Sequence, residues 1–389
     1  MIKLIGIAVV AAGFALRLNP LLVVVAAGVE NMTRVPMGAS VIKDSYPFGP
    51  EMQGRYPNLV PQGISAELIA EKWGISRDDM DRFGLQSQER AARATREGRF
   101  QAEILPVLDA EGKLVGLHLR VSGQSILTSV RPEALVNGMD PAVFQGMAPS
   151  GEFEFGYGAI PNLLIDHAMR NPHVPPGFWR GVNINQNAVY IESFIDELAL
   201  ASGQDPLEFR RKLLAKEPRM LGVLNLAAEK AGWGKKLPAG RAMGVALMEG
   251  YGTYMAQIAE VSVNRSTGQI KVHNFWCTID CGVAVQPDNI IAQTEGSTVY
   301  GLGMTLSERI TIKNGAVEQS NFYDYALPRM NEVPAMHVEL IQTDNHPTGA
   351  GQMSTPLVAP AVSNAVFALT GVRLRHTPFT PDRVKKALA

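Results

Sequence analysis

The stretch PTGAGQMSTPLVAPAVSNAVFALTG, residues 347–371, decides how the rest of the chain is read. Glycines at 349 and 351 flank Ala350, Gln352 follows, and an apolar run then ends at Gly371. The pattern predicts a loop feeding a buried helix that a glycine stops at its C-terminal end. Glycine lets backbone amides come close to a ligand, and a helix start offers unpaired N–H groups. The plainer alternative is a turn that only marks where the helix begins. Gln352 sharpens the question, because its amide has no group that titrates near neutral pH.

Working outward from that helix, the local signals alternate between helix and strand. "RITIKNGAVEQS" has Asn314-Gly315 between two apolar runs, the pair that suits a type I′ hairpin turn. "AQIAEVSV", the turn "NRSTG" and "QIKVHNFWCTID" read as two more strands. "NAVYIESFIDELALASG" puts Ala188, Ile191, Phe194, Ile195, Leu198 and Ala199 on one helical side before Gly203. "DPLEFRRKLL" follows with Asp205 as N-cap, Pro206 in the first turn and Glu208 as capping-box partner. "MLGVLNLAAEKAG" is a further helix, and "DAEGKLVGLHLRV" reads as a hairpin-like unit turning at Gly112. Antiparallel hairpins mixed with helices argue an α+β fold.

Composition bounds the function. The chain has 389 residues, enough for two or three domains, with 46% hydrophobic and 19% charged residues. Lys+Arg number 36 against 37 Asp+Glu, a balance that gives no reason to expect nucleic acid or an anionic membrane as partner. Cys277 and Cys281 are the only cysteines, too few for a disulfide framework, a four-cysteine zinc site or an iron–sulfur cluster. They read as buried strand residues of a protein in a reducing, cytoplasmic compartment. Any electrons handled by this chain leave through another. The seven histidines show no ligand spacing, so no metal-binding side chains are assigned.

Three segments differ in character. Residues 1–27, with Lys3, two apolar runs and Arg17, Asn19 and Pro20 between them, form an apolar N-terminal segment. Neither run reaches the roughly 18 apolar residues of a spanning helix, and no small-x-small cleavage site follows. The segment resembles the amino terminus of a small bacterial membrane-transport subunit; a buried strand or helix is the alternative, and membrane association or export is the less favoured reading. From 28 to 107, "ISAELIAEKWG" places Ile64, Leu68, Ile69 and Trp73 on one helical face. "SRDDMDRFGLQSQERAARATREG" follows from the N-cap Ser76 to Gly98, with Met80, Phe83 and Ala91 on its apolar side. The third segment is 108–389, with a sub-boundary near 238–244.

"AGVENMTRVPMG", "LVPQGISAELIAEKWGISRDDMDRFGLQSQERAARATREGRF" and "AEILPV" resemble the thiolase family of acetyl-CoA acetyltransferases, implying a partial thiolase-like α/β segment. Thiolases use a nucleophilic cysteine placed before "GVENM", and this chain has no cysteine before residue 277. A thiolate is the group that attacks the acyl carbon, so the acyl-transfer reading lacks its nucleophile.

A second resemblance covers about 109–389, nearly three-quarters of the chain. "PPGFWRGVNINQNAVYIESFIDELALASGQDPLEFRRKLL", "IDCGVAVQPDNIIAQTEGSTVYGLGMTLSERITIKNGAVEQSNFYDYALPRMNEVP" and "GAGQMSTPLVAPAVSNAVFALTGVRLRHTPF" carry it. They resemble the molybdopterin-binding subunit of the xanthine dehydrogenase family, closest to the isoquinoline 1-oxidoreductase or aldehyde-dehydrogenase-like beta type. The resemblance implies a molybdenum cofactor of the molybdopterin cytosine dinucleotide type and an iron–sulfur subunit as partner. It also implies hydroxylation of an N-heteroaromatic, or oxidation of an aldehyde. By its motifs, Gly177, Arg180 and Gly181 in "GFWRG", Gln293 and Gly296 in the cofactor-contacting turn "AQTEGS", and Gly349, Ala350 and Gly351 would touch the cofactor. Polar backbone and amide groups suit a long anionic ligand better than an apolar slot does.

Two departures follow from the same comparison of motifs. The family usually carries "GxGE", its glutamate acting as general base; here Gln352 holds that position and cannot take a proton. The family's amino-terminal half is replaced by thiolase-like sequence, so the remaining cofactor contacts are expected from another chain. "GAGQMS" also mimics part of a dinucleotide fingerprint, without its third glycine or the acidic residue about twenty positions on. The sequence holds three readings open: a molybdopterin-dependent subunit that is incomplete or impaired, an acyltransferase, and a non-catalytic fusion product.

Overall fold

The structure is a computed structural model that describes residues 54–55, 62–97, 112–148, 154–158 and 160–389. Residues 1–27, "AGVENMTRVPMG", "AEILPV" and Gly98 lie outside the described residues. The chain divides into two compact units, Met1–Pro106 and Val107–Ala389.

In the first unit, α1 (Gln62–Trp73) and α2 (Arg77–Arg96) form where the sequence predicts them. Ser76 caps α2, its hydroxyl accepting from the Asp79 amide at 3.2 Å while donating to the Asp79 carboxylate at 2.6 Å. Among the described residues Ile64, Leu68, Ile69, Trp73 and Phe83 are exposed and Ala70 is buried. Local propensity and capping suffice to account for where the helices form.

The second unit opens on β1 (Gly116–Gly123), followed by the short α3 (Leu127–Val130) and β2 (Asn162–Met169). The strand that would precede Gly112 in the expected hairpin-like unit lies outside the described residues; β1 pairs in parallel with β2, Gly116 opposite Asn162. Leu117 and Val121 of β1 are buried, while Arg120 and His118 reach across to Asp166 of β2 at 2.6 Å and 3.1 Å. The Arg120 guanidinium holds the Asp166 carboxyl down at about 2. That cross-strand pairing helps hold β1 to the distant β2.

Next come α4 (Ile184–Ala201), α5 (Pro206–Leu213) and α6 (Pro218–Ala231). Ala188, Ile191, Ile195, Leu198 and Ala199 of α4 are buried as the periodicity predicts, but Phe194 faces outward at 37% exposure. Asp205 caps α5, accepting from the amides of Leu207 at 2.8 Å and Glu208 at 3.1 Å. The reciprocal half of the capping box is absent, because the Glu208 carboxylate pairs with Arg211 instead. Gly232 ends α6 in the left-handed conformation, φ 66°.

A four-stranded mixed sheet follows, β3 (Arg241–Gly250), β4 (Thr253–Val263), β5 (Ile270–Asp280) and β8 (Ala335–Leu340), in the order β3-β4-β5-β8. β3, β4 and β5 run antiparallel, and β8 joins β5 in parallel. Between β5 and β8 lie α7 (Pro287–Leu306) and the hairpin β6 (Ile312–Lys313) and β7 (Ala316–Val317). Asn314 and Gly315 turn that hairpin with φ 52° and 79°, as a type I′ turn requires. Cys277 in β5 and Cys281 just after it are both buried.

α8 (Ser354–Thr370) is the centre of the unit, and a last helix, α9 (Pro381–Leu388), closes the chain. Every residue of α8 from Ser354 to Val366 is buried, and the helix packs on β3, β4, α4 and α7. Gly371 stops it at φ 73°, as predicted. Contact with β3 is close enough that a Cβ at Gly244 would stand 2.1 Å from the Ala365 nitrogen. Beneath α4, the fully buried Glu192 and Arg210 pair at 3.0 Å, and Tyr157 donates to Glu192 at 2.6 Å.

Candidate functional site

The loop 349–352 is fixed from both ends. Thr348 donates its amide to the Cys281 carbonyl at 2.8 Å, and Gly349 donates to the Tyr251 carbonyl at 3.3 Å. At the other end, the start of α8 is pinned to α7 by hydroxyls. Ser354 meets Thr298 at 2.7 Å, and Thr355 meets Ser297 at 2.8 Å. Both pairs are buried, where a satisfied hydroxyl network favours one arrangement over others.

Arg180 ties three of the sequence-predicted segments together. Its Nε and Nη2 donate to the Gly351 carbonyl at 2.9 Å and 2.7 Å, and Nη2 donates to Gln293 Oε1 at 3.0 Å. The adjoining Gly181 amide donates to Gln352 Oε1 at 2.8 Å. Arg180, Gly181, Gln293, Gly351 and Gln352 therefore stand at one place, although 171 residues separate Arg180 from Gly351.

The "AQTEGS" segment is not a turn. Gln293 and Gly296 lie inside α7, and Tyr300 follows at the same helical spacing. Gln293 meets Arg180, while Tyr300 lies 5.3 Å from the Trp179 ring and 5.7 Å from the Arg180 guanidinium. One face of α7 thus meets Trp179 and Arg180 of the "GFWRG" segment.

The predicted glycines divide by what surrounds them. Gly181 has φ 93°, and a Cβ there would stand 2.3 Å from Asn185 Oδ1 and 2.9 Å from Pro356 Cγ. Gly349 would bring a Cβ to 3.1 Å from Tyr251 Cβ. Among the described residues, nothing stands within 4 Å of that position at Gly177 or Gly296, and Gly351 meets Gln293 Oε1 at 3.8 Å. Gly296 sits in a helix interior, where glycine costs about 1 kcal/mol relative to alanine, and no described residue packs against it.

Beside these residues lies a cleft of about 490 Å³, lined by Arg131, Gln145, Phe178, Trp179, Arg180, Val182, Tyr251 and Gln352. Val182 and Tyr251 hold φ of 48° and 56°, a region costly for a β-branched or bulky residue. Such strain persists only where the surroundings over-determine it, and it concentrates at functional sites. Tyr251 and Gly252 form the two-residue turn between β3 and β4, which carries the phenol to 3.5 Å from Gln352 Oε1.

Arg131, Gln145, Phe178, Trp179, Val182, Tyr251 and Tyr300 were not legible as site residues. Two of them adjoin Arg180 in "GFWRG", and "EGYGTY" at 249–254 has a short turn between two apolar strands, the one local signal available.

The donor set fits an oxygen-rich anionic ligand. No lining residue is a carboxylate, and Arg180 Nη1 makes no hydrogen bond among the described residues. The exposed glycines at 296 and 351 leave backbone uncovered beside it. The same set does not supply a base: Gln352 Oε1 is an acceptor for Gly181 and Tyr251, and its amide cannot accept a proton near neutrality. Among the described residues, no three His, Cys, Asp or Glu side chains converge as metal ligands, and no helix is long and apolar enough to cross a membrane. Burial pushes the Cys277 thiol up to about 12, and it raises Cys281 too. Neither is a nucleophile for acyl transfer.

Comparison with known proteins gives two family matches. Residues 223–334 match the molybdopterin cofactor-binding domain, and residues 6–116 match the thiolase N-terminal domain, which reaches back into the apolar segment. The chain is 31% identical over 280 residues to isoquinoline 1-oxidoreductase subunit beta of Brevundimonas diminuta, covering 71% of this chain and 35% of that protein. It is 33% identical over 368 residues to the membrane-bound aldehyde dehydrogenase [pyrroloquinoline-quinone] of Gluconacetobacter polyoxogenes, 88% of this chain and 46% of that one. The chain thus spans between a third and a half of these relatives' length. Quinoline 2-oxidoreductase from Pseudomonas putida 86 shares the fold, with a TM-score of 0.58 at 14% identity over 72% of this chain and 61% of that one.

Proposed function

We propose that the chain, from about residue 109 on, is a molybdopterin-dependent oxidoreductase subunit impaired in turnover, in keeping with its similarity to the molybdopterin-binding oxidoreductase subunits. The convergence of Arg180, Gln293, Gly351 and Gln352 at one place, with Arg180 and Gln352 lining the cleft beside it, supports this reading over acyl transfer. Arg180, Gln293, Gly296, Gly349, Ala350 and Gly351, with Gly177 and Gly181, would hold a cofactor of the cytosine dinucleotide type. When bound, that group supplies the two-electron oxidation that exchanges a C–H bond for a C–O bond with oxygen from water. The substrate is an N-heteroaromatic or an aldehyde, electrons pass to an iron–sulfur partner, and the rest of the cofactor cradle comes from outside this chain. The protein is read as cytoplasmic.

The residues of the chain perform three tasks. Arg180 holds the 349–352 loop to α7, so that the loop's backbone keeps one distance from the ligand. Phe178 and Trp179 wall the cleft with exposed aromatic surface. Gln352 orients a ligand by hydrogen bonding but removes no proton, which reduces the rate by roughly 10²–10⁴-fold relative to a carboxylate at the same place.

The test is molybdenum and cytidine nucleotide content of the purified full chain, alone and co-produced with an iron–sulfur subunit. Stoichiometric metal in the co-produced sample is expected, and Arg180→Ala should lower it severalfold. Absence of molybdenum from both preparations sinks the proposal.

A further inference from the structure

The cleft beside Arg180 contains more hydrogen-bond donors than the cofactor reading uses. The orientation of both glutamines is fixed by groups that can only donate. Gln145 Oε1 accepts from the Asn183 amide at 3.2 Å, and Gln352 Oε1 accepts from the Gly181 amide at 2.8 Å. A backbone N–H cannot face an NH₂ group, so both side-chain NH₂ groups are left as donors. Neither makes a hydrogen bond among the described residues. Gln145 is held further by its own carbonyl, which accepts from Asn187 at 2.8 Å.

Arg131 stands on the same wall. Its guanidinium lies 5.8 Å from the Phe178 ring and has no carboxylate partner among the described residues. The backbone that presents it is anchored by buried Asp140, which accepts from Ser125 Oγ at 2.6 Å, the Leu127 amide at 3.2 Å and the Ala142 amide at 2.8 Å. The cleft therefore carries two guanidinium groups, two free amide donors and no acid, between the exposed rings of Phe178 and Trp179. Charge of one sign in a walled cleft concentrates counter-charge from solution.

We infer that the ligand taken up on the Arg131 side of this cleft is a small aromatic carboxylate, its carboxylate on Arg131 and the Gln145 amide and its ring against Phe178 and Trp179. The planar fork of arginine matches a carboxylate, and a flat apolar body matches the two rings. A cleft of about 490 Å³ has room for one such molecule. Calling that ligand the substrate rests on the molybdopterin reading above; the binding itself does not. An anionic group of the cofactor, such as a phosphate, would be drawn by the same chemistry, and the experiment separates the two sources.

Benzoate, benzamide and inorganic phosphate are titrated separately into the purified full chain by calorimetry, and molybdenum content is measured on the same samples. Benzoate is expected to bind at least about tenfold more tightly than benzamide, the range of one charge-assisted hydrogen bond. Arg131→Gln should erase that preference with the melting temperature unchanged, because the side chain is exposed and makes no ion pair among the described residues; Arg131→Lys should keep part of it. Equal binding of benzoate and benzamide, or an unaltered preference in Arg131→Gln, overturns the inference. Phosphate displacing benzoate at equal concentration overturns it in favour of a cofactor phosphate. Protein that is metal-free even when co-produced with an iron–sulfur subunit, yet retains the benzoate preference, sinks the cofactor reading alone, and loaded protein without the preference sinks this inference alone.

Discussion

Gln352 Oε1 lies 2.8 Å from the Gly181 amide nitrogen, which makes the Gln352 side chain an acceptor aimed at a backbone donor. A carboxylate would accept the same bond with the same number of atoms. Gln352→Glu is therefore expected to fold without loss and to gain hydroxylase activity by roughly 10²–10⁴-fold in cofactor-loaded protein. Turnover of a heteroaromatic or aldehyde, followed by dye reduction, measures it. An unchanged rate in loaded variant protein would detach residue 352 from the chemistry.

The two glycines of "GFWRG" should respond differently to alanine. At Gly181 a Cβ collides at 2.3 Å with Asn185 and the backbone sits at φ 93°. Gly181→Ala is expected to cost about 1–3 kcal/mol in urea unfolding from backbone strain alone. At Gly177 a Cβ meets no described residue within 4 Å, so Gly177→Ala should stay within about 0.5 kcal/mol of the parent. A fall in molybdenum content of Gly177→Ala, with stability intact, would assign that glycine to the ligand.

Arg210 and Glu192 are both shut off from water, at 3.0 Å. Arg210→Met leaves the Glu192 carboxylate without its counter-charge and should destabilise the second unit by roughly 3–5 kcal/mol. Replacing Glu192 by Met as well should recover a large part of that loss. Denaturant midpoints of the three variants decide it, and a double variant no better than the single one would contradict the account.

Iodoacetamide labelling checks the thiols. With Cys277 pushed up to about 12 by burial, native protein should label at neither cysteine between pH 7 and about 9, whereas unfolded protein labels at both. Rapid native labelling would reopen the acyl-transfer alternative.

What could be read from the sequence was what is decided locally. Gly371 after an apolar run, Asn314-Gly315 between strands and Asp205 before Pro206 each act within a few residues, and each stands where it was predicted. The pairing of β1 with β2 was invisible, because nothing near Gly112 announces a partner strand at Asn162. The site shows the same division. Arg180, Gln293 and Gln352 were found by resemblance of motifs, and the structure brings them together. Arg131, Gln145 and Tyr251 were missed because their significance lies only in convergence: each is an ordinary residue until the fold sets it on the cleft. Phe194 was misplaced because helical spacing alone cannot tell the edge of an apolar stripe from its middle.

The entombment of α8 from Ser354 to Val366 reaches beyond packing. A loop attached to the most deeply enclosed helix takes its shape from the interior, not from whatever later settles on it. Amide protons of that helix should be among the slowest to exchange with deuterium, whether or not a guest is present. Loading would then be insertion into a ready-made berth, and an empty molecule could wait for its guest without losing the berth's outline.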